Sequence, residues 1–90
     1  MKKQSNKNGY AKVLKDKVDQ IALECGFYKE SNNPANFSSN YRDPVLPLLI
    51  SFYATTGTIG ISYCKEPFKW FKGCKQEMIK DIFENPLNYV

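Results

Sequence analysis

Histidine is absent from this chain, arginine appears only at Arg42 and tryptophan only at Trp70. Without imidazole there is no ready proton relay for a nucleophilic thiol or hydroxyl, and a common zinc ligand is missing. The three cysteines, Cys25, Cys64 and Cys74, are odd in number and lack C-x-x-C spacing, so a four-ligand metal site would have to recruit carboxylates. They read instead as reduced thiols in a cytoplasmic or nuclear protein. Apolar runs are short as well. The longest, Pro44 to Ala54, carries two prolines and a serine and falls far below the roughly 20 residues that cross a bilayer. The opening MKKQSNKNGY leads into a charged helical pattern rather than an apolar segment, which points to an intracellular protein. No glycine-rich loop precedes a helix, and the 9 acidic residues are scattered, so neither a phosphate loop nor a paired-carboxylate centre is expected. The chain reads as non-enzymatic, with no cofactor.

Lysine and aromatic side chains are what it has in quantity. With 42% hydrophobic and 14% aromatic residues, 90 residues suffice for one small core and are too few for two. All but one of the 13 basic residues are lysine, and the net charge is +4. That charge is unevenly spread. Residues 1–17 hold six lysines against Asp16, residues 65–80 hold five against Glu66 and Glu77, and the rest of the chain is net acidic. Two basic segments on an acidic body suit steering toward an anionic partner. The abundance of lysine and asparagine is equally what an AT-rich coding bias would leave.

Residues 1–9 read as a flexible basic arm ahead of a single domain over 10–90. From Tyr10 to Cys25, the residues Ala11, Leu14, Val18, Ile21, Ala22 and Cys25 recur at three- and four-residue intervals, predicting an amphipathic helix that Gly26 closes with a left-handed cap. Residues 29–45 are rich in asparagine, serine and proline and read as a long connection. Within it, Phe37 and Tyr41 are expected to anchor the chain to the body, the alternative being that Tyr41 and Arg42 face a ligand. In LPLLISFYATTGTIGISYC, two β-rich runs flank Thr56-Gly57. A two-residue turn there pairs Phe52 with Ile61 and Ile50 with Tyr63, placing Ile50, Phe52, Ala54, Ile59, Ile61 and Tyr63 on one face. A threonine in that turn leaves room for a longer loop. A third strand over Phe68 to Lys72 and a helix over Cys74 to Asn85, striped by Met78, Ile79, Ile82 and Phe83, complete the chain. Pro86 stops that helix, leaving Leu87, Tyr89 and Val90 to fold back on the body.

The expected class is α+β: helix-strand-strand-strand-helix, a small antiparallel sheet with two helices packed on one face. In element order alone this resembles a double-stranded-RNA-binding domain. Two segments depart from that pattern. Lys65-Glu66-Pro67 is not a basic glycine-containing loop, and the helix start Cys74-Lys75-Gln76-Glu77 is not a lysine cluster, so no family follows from the likeness.

The stretch KEPFKWFKGCKQ, residues 65–76, carries the most specific functional signal. As a strand it sends Phe68, Trp70 and Lys72 to one face and Lys69 and Phe71 to the other. Outward Phe68 and Trp70, beside Tyr53, would offer rings for base stacking and lysines for phosphate. Inward, they would belong to the core, the commoner place for a tryptophan in so small a domain. The face made by Ser51, Tyr53, Thr55, Thr58, Gly60 and Ser62 is flat, and Gly60 would admit a ring or another backbone closely. Cys74, flanked by Lys72 and Lys75 in a helical first turn, is expected to have a lowered pKa.

The leading expectation is contact with nucleic acid through its phosphates, with low sequence specificity because a single arginine offers little bidentate base reading. Its candidate residues are Lys12, Lys15, Tyr53, Lys65, Lys69, Trp70, Lys72 and Lys75. The alternative is a protein-interaction module or homodimer that uses the outer sheet face or an exposed edge, taken to be strand 48–54.

Overall fold

The computed structural model describes residues 2–33, 35 and 37–90, with side chains from Lys12 onward. Helix α1 spans Lys2–Glu24. Residues 2–9, read above as an arm, have helical backbone, although Ser5, Asn6, Asn8 and Gly9 are weak helix formers. The helix ends where expected. Gly26 has φ +88°, and the Phe27 and Gly26 amides donate to the carbonyls of Ala22 and Leu23 at 2.8 and 3.1 Å. This crossed pair of bonds satisfies the last carbonyls and turns the chain sharply into the sheet.

Strands β1 Tyr28–Asn33, β2 Ser38–Arg42, β3 Leu48–Tyr53, β4 Thr58–Tyr63 and β5 Lys69–Phe71 follow, then helix α2 Gln76–Glu84 and a 3-10 turn Pro86–Asn88. The five strands form one antiparallel sheet in chain order. The architecture is α+β, with a helix before and after the sheet, but the sheet has two more strands than expected. The long connection is the reason. Its polar residues hide an alternation in which Ser39 and Tyr41 point inward and Ser38, Asn40 and Arg42 outward. With one large apolar residue in five, β2 carries almost no hydrophobic period, and its strand state comes from pairing with β3. β1 is exposed along its whole length and bulges between Lys29 and Ser31, which suits an edge strand. Strand 48–54, taken above for an edge, lies at the centre of the sheet. The likeness to a double-stranded-RNA-binding domain ends here too, because that order has three strands.

The hairpin registers differently from the expected pairing. Phe52 opposes Ile59, Ile50 opposes Ile61 and Leu48 opposes Tyr63, leaving Ala54–Gly57 as a four-residue connection. Relative to the expected register the strands are displaced by two residues, which preserves faces, where a slip of one would have inverted them. Ile50, Phe52, Ile59 and Ile61 are therefore all buried on the helix side, with Ala54 in the turn beneath them.

Both helices cover that side. Leu14, Val18 and Ala22 of α1 and Ile79, Ile82 and Phe83 of α2 complete the core with Phe27, Tyr41 and Leu48. Phe83 is its aromatic centre, edge-on to Phe27 at 5.2 Å and to Tyr41 at 5.3 Å. Tyr41 is 1% exposed, and its hydroxyl donates to Asp19 of α1 at 2.5 Å. Asp19 also takes Lys29 of β1 at 2.9 Å, so one carboxylate ties the helix to two strands. Tyr41 is thus an anchor and not a ligand contact. Of the carboxy-terminal residues, Tyr89 packs back firmly, against Phe71, while Leu87 and Val90 stay substantially exposed.

Candidate functional site

The sheet face away from the helices is where the aromatic segment arrives. Between β4 and β5 the chain reverses at Tyr63–Glu66, with Cys64 and Lys65 at φ +58° and +64° and the Glu66 amide donating to the Tyr63 carbonyl at 3.2 Å. Positive φ at both central residues matches the turn that suits twisted hairpins, although asparagine and glycine fill those positions more easily. After Pro67, β5 pairs with β4 so that Trp70 opposes Gly60 and Phe71 opposes Ile59. Phe71 faces the core side, meeting Tyr89 edge-on at 5.6 Å. Phe68 and Trp70 take the outer face.

Gly60 determines how Trp70 lies. A Cβ at position 60 would sit 2.5 and 2.6 Å from Cζ3 and Cε3 of the indole, so the benzo ring occupies the space that any side chain there would need. The indole reaches across β4 toward β3, where Tyr53 stands 5.9 Å away between ring centroids. On its other side, Phe68 lies at 5.2 Å. Three rings make a continuous row, with Trp70 in the middle and 46% exposed. Tyr53 and Phe68 are half-buried and brace it.

The polar groups of this face are largely engaged with one another. Ser51 donates to Asn40 Oδ1, Asn40 Nδ2 donates to Ser31 at 2.8 Å, and the Ser62 hydroxyl donates to the Glu66 carbonyl at 2.5 Å. The rings are therefore the most available chemistry on it. A second row, Tyr28, Arg42, Leu49 and Ser62, crosses the sheet at its other end. There Arg42 donates to Glu30 at 2.5 Å, and this bond raises the guanidinium pKa further. Arg42, Leu49, Ser62, Pro47 and Lys65 line a shallow hollow of about 130 Å³. Arg42 was considered in the sequence only as a loop residue beside Tyr41, and Tyr28, at the start of a polar edge strand, gave no signal. Phe68 was legible through its two-residue spacing from Trp70.

The candidate residues do not gather at one place. Tyr53 and Trp70 come together, Lys65 borders the same face beside Ser62, and Lys72 is exposed just past the last residue of β5. Lys69 opposes Ile61 and lines a hollow with Tyr63 and Val90, so it emerges on the helix side of the β5 edge. Lys75 is exposed at the N-cap of α2. Lys12 and Lys15 belong to α1, in the layer on the opposite side of the sheet.

Cys74 corrects another expectation. Helix α2 starts at Gln76, so this thiol precedes the first turn, where it is half-buried and donates to the Phe71 carbonyl at 3.3 Å. Burial pushes its pKa up instead of down. Burial does the same to Cys25, aided by the nearby carboxylates of Glu84 and Glu24. Among the described residues, no group of three or more histidine, cysteine or acidic side chains is arranged to hold a metal ion. No helix among them is long and apolar enough to cross a membrane.

Fold and face together define an α+β domain with one sheet surface left open and an aromatic row across it. No protein-family model matches this chain, and no curated protein or solved structure is significantly similar to it.

Proposed function

We propose that this is a non-enzymatic intracellular binding domain that contacts nucleic acid through its phosphates, with low sequence specificity, on the open face of the sheet. One observation carries the reading: the Tyr53–Trp70–Phe68 row lies outward, and the segment that brings Phe68 and Trp70 to it, residues 65–75, holds four lysines against one glutamate. Rings supply stacking surface that tolerates any base, and the ammonium groups of Lys65 and Lys72 supply phosphate contacts beside it. Lys69 and Lys75 add to the field from around the edge. Lys12 and Lys15, across the molecule, strengthen long-range attraction without touching the same strand of nucleic acid.

The test compares two double variants by anisotropy with labelled oligonucleotides at several salt concentrations. Lys65→Glu/Lys72→Glu should weaken binding strongly and lower the salt slope by about one unit for each lost phosphate contact. Lys12→Glu/Lys15→Glu should change affinity far less. Equal effects from the two pairs, or none from the first in a folded protein, would remove the reading.

An exposed aromatic row also suits a protein surface, and the same face supports a second reading as a subunit or homodimer contact. The sheet edge supports it poorly, because β1 is polar and bulged and β5 has three residues. Self-association at micromolar concentration without nucleic acid would favour the second reading.

A further inference from the structure

We infer that the open face takes unpaired bases, so that its ligand is single-stranded nucleic acid, with Trp70 as the stacking residue and Gly60 as the residue that positions it. The inference rests on the nucleic-acid reading above and narrows its ligand. Gly60 is the only residue type that leaves room for the benzo ring, since a Cβ would come within 2.5 Å of it. With that side of the indole occupied by the sheet and its flanks held by Tyr53 and Phe68, the remaining surface is presented to solvent in a fixed orientation. A ring held this way loses little freedom when a flat partner settles on it.

The shape of that partner follows. In a duplex both faces of each internal base are already covered by its neighbours, and exposing one costs stacking and pairing. An unpaired base has a free face, and stacking on an aromatic side chain is the usual way proteins hold it. Charge agrees with this occupant. Lys65, Lys69, Lys72 and Lys75 flank Phe68 and Trp70 along the chain, and Glu66 is the only acidic residue in 65–75. The row runs from Tyr53 of β3 over Gly60 of β4 to Trp70 of β5 and Phe68 just before it, a length that suits more than one nucleotide.

The experiment uses the full chain and a mixed-sequence 12-nucleotide RNA and DNA, each as a single strand and as a blunt duplex, followed by anisotropy at one salt concentration. Trp70 is the sole tryptophan, so its fluorescence reports this site alone. The expected result is single-strand binding about tenfold or more tighter than duplex, with saturable quenching of Trp70. Gly60→Ala should displace the indole and lower single-strand affinity about tenfold, while weak duplex binding and net charge are unchanged. Trp70→Ala, at a half-exposed position, gives the same readout if Gly60→Ala does not fold. Equal affinity for both forms, without quenching and insensitive to Trp70→Ala, would overturn this inference and leave the phosphate-contact reading standing. No binding of either form would remove both, and concentration-dependent self-association through Trp70 would then give the face to a second copy of the chain.

Discussion

Replacing Tyr41 by phenylalanine removes one oxygen from the core and little else. The ring keeps its edge-on contact with Phe83 at 5.3 Å, while the hydroxyl's 2.5 Å bond to Asp19 is lost. A hydrogen bond to a charged partner contributes about 1.5–3 kcal/mol, and Asp19 retains Lys29, so its carboxylate is not orphaned. The expected cost is about 2 kcal/mol, or roughly a 10 °C fall in Tm for a domain of this size. Urea unfolding followed by far-ultraviolet circular dichroism should show a lower midpoint at constant m. A pairing with Asp19→Ala, which removes the acceptor, in a double-mutant cycle should recover most of the loss as coupling. The same hydroxyl sets an alkaline limit. Burial first, and the Asp19 bond second, hold the Tyr41 phenol above its ordinary pKa of 10.0. The unfolded chain therefore gives up this proton at lower pH than the folded one. The contribution is fully present below about pH 10 and declines above it, by up to about 1.4 kcal/mol per pH unit. The difference between parent and Tyr41→Phe should shrink over that range. A loss below about 0.5 kcal/mol at neutral pH, or a difference that does not depend on pH above 10, would refute the reasoning.

The remaining predictions concern the turn into β5 and the thiols. Changing Cys64-Lys65 to Asn-Gly should relieve two positive φ angles and raise stability by about 1 kcal/mol in thermal unfolding, and a decrease would mean that the turn geometry is wrong. With a thiol reagent at pH 8 and peptide mass spectrometry, exposed Cys64 should be labelled first and Cys74 about tenfold more slowly, because burial holds the Cys74 proton on. Cys74 reacting fastest would restore the activated-thiol expectation.

Legibility in the sequence followed the strength of the local pattern. The α1 and α2 stripes were readable because a three- and four-residue apolar period falls on one side of a helix and on both sides of a strand. The Gly26 cap was readable because a glycine directly after such a period can take the left-handed conformation that ends a helix. The faces of β3 and β4 were readable from their two-residue period, even though the register was displaced by two. β1 and β2 were not. YKESNN and SSNYR contain the residues of a loop, and only Tyr41, seated against Phe83 and bonded to Asp19, shows why they are strands. The start of α2 was misplaced by two residues, and with it the expected chemistry of Cys74.

The candidate site divides along similar lines. Alternation determined that Phe68 and Trp70 share a face and that Phe71 opposes them, and composition determined that lysines surround them. Which face was outward depended on partners distant in the chain: Gly60 opposite Trp70, Tyr53 one strand further, and Tyr89 waiting for Phe71 on the inner side. The two-residue period of a strand carries no information about which side the helices will cover. That is decided by which face buries more apolar surface once all five strands are assembled, and here the helices took the face of Ile50, Phe52, Ile59 and Ile61 and left the indole in the open.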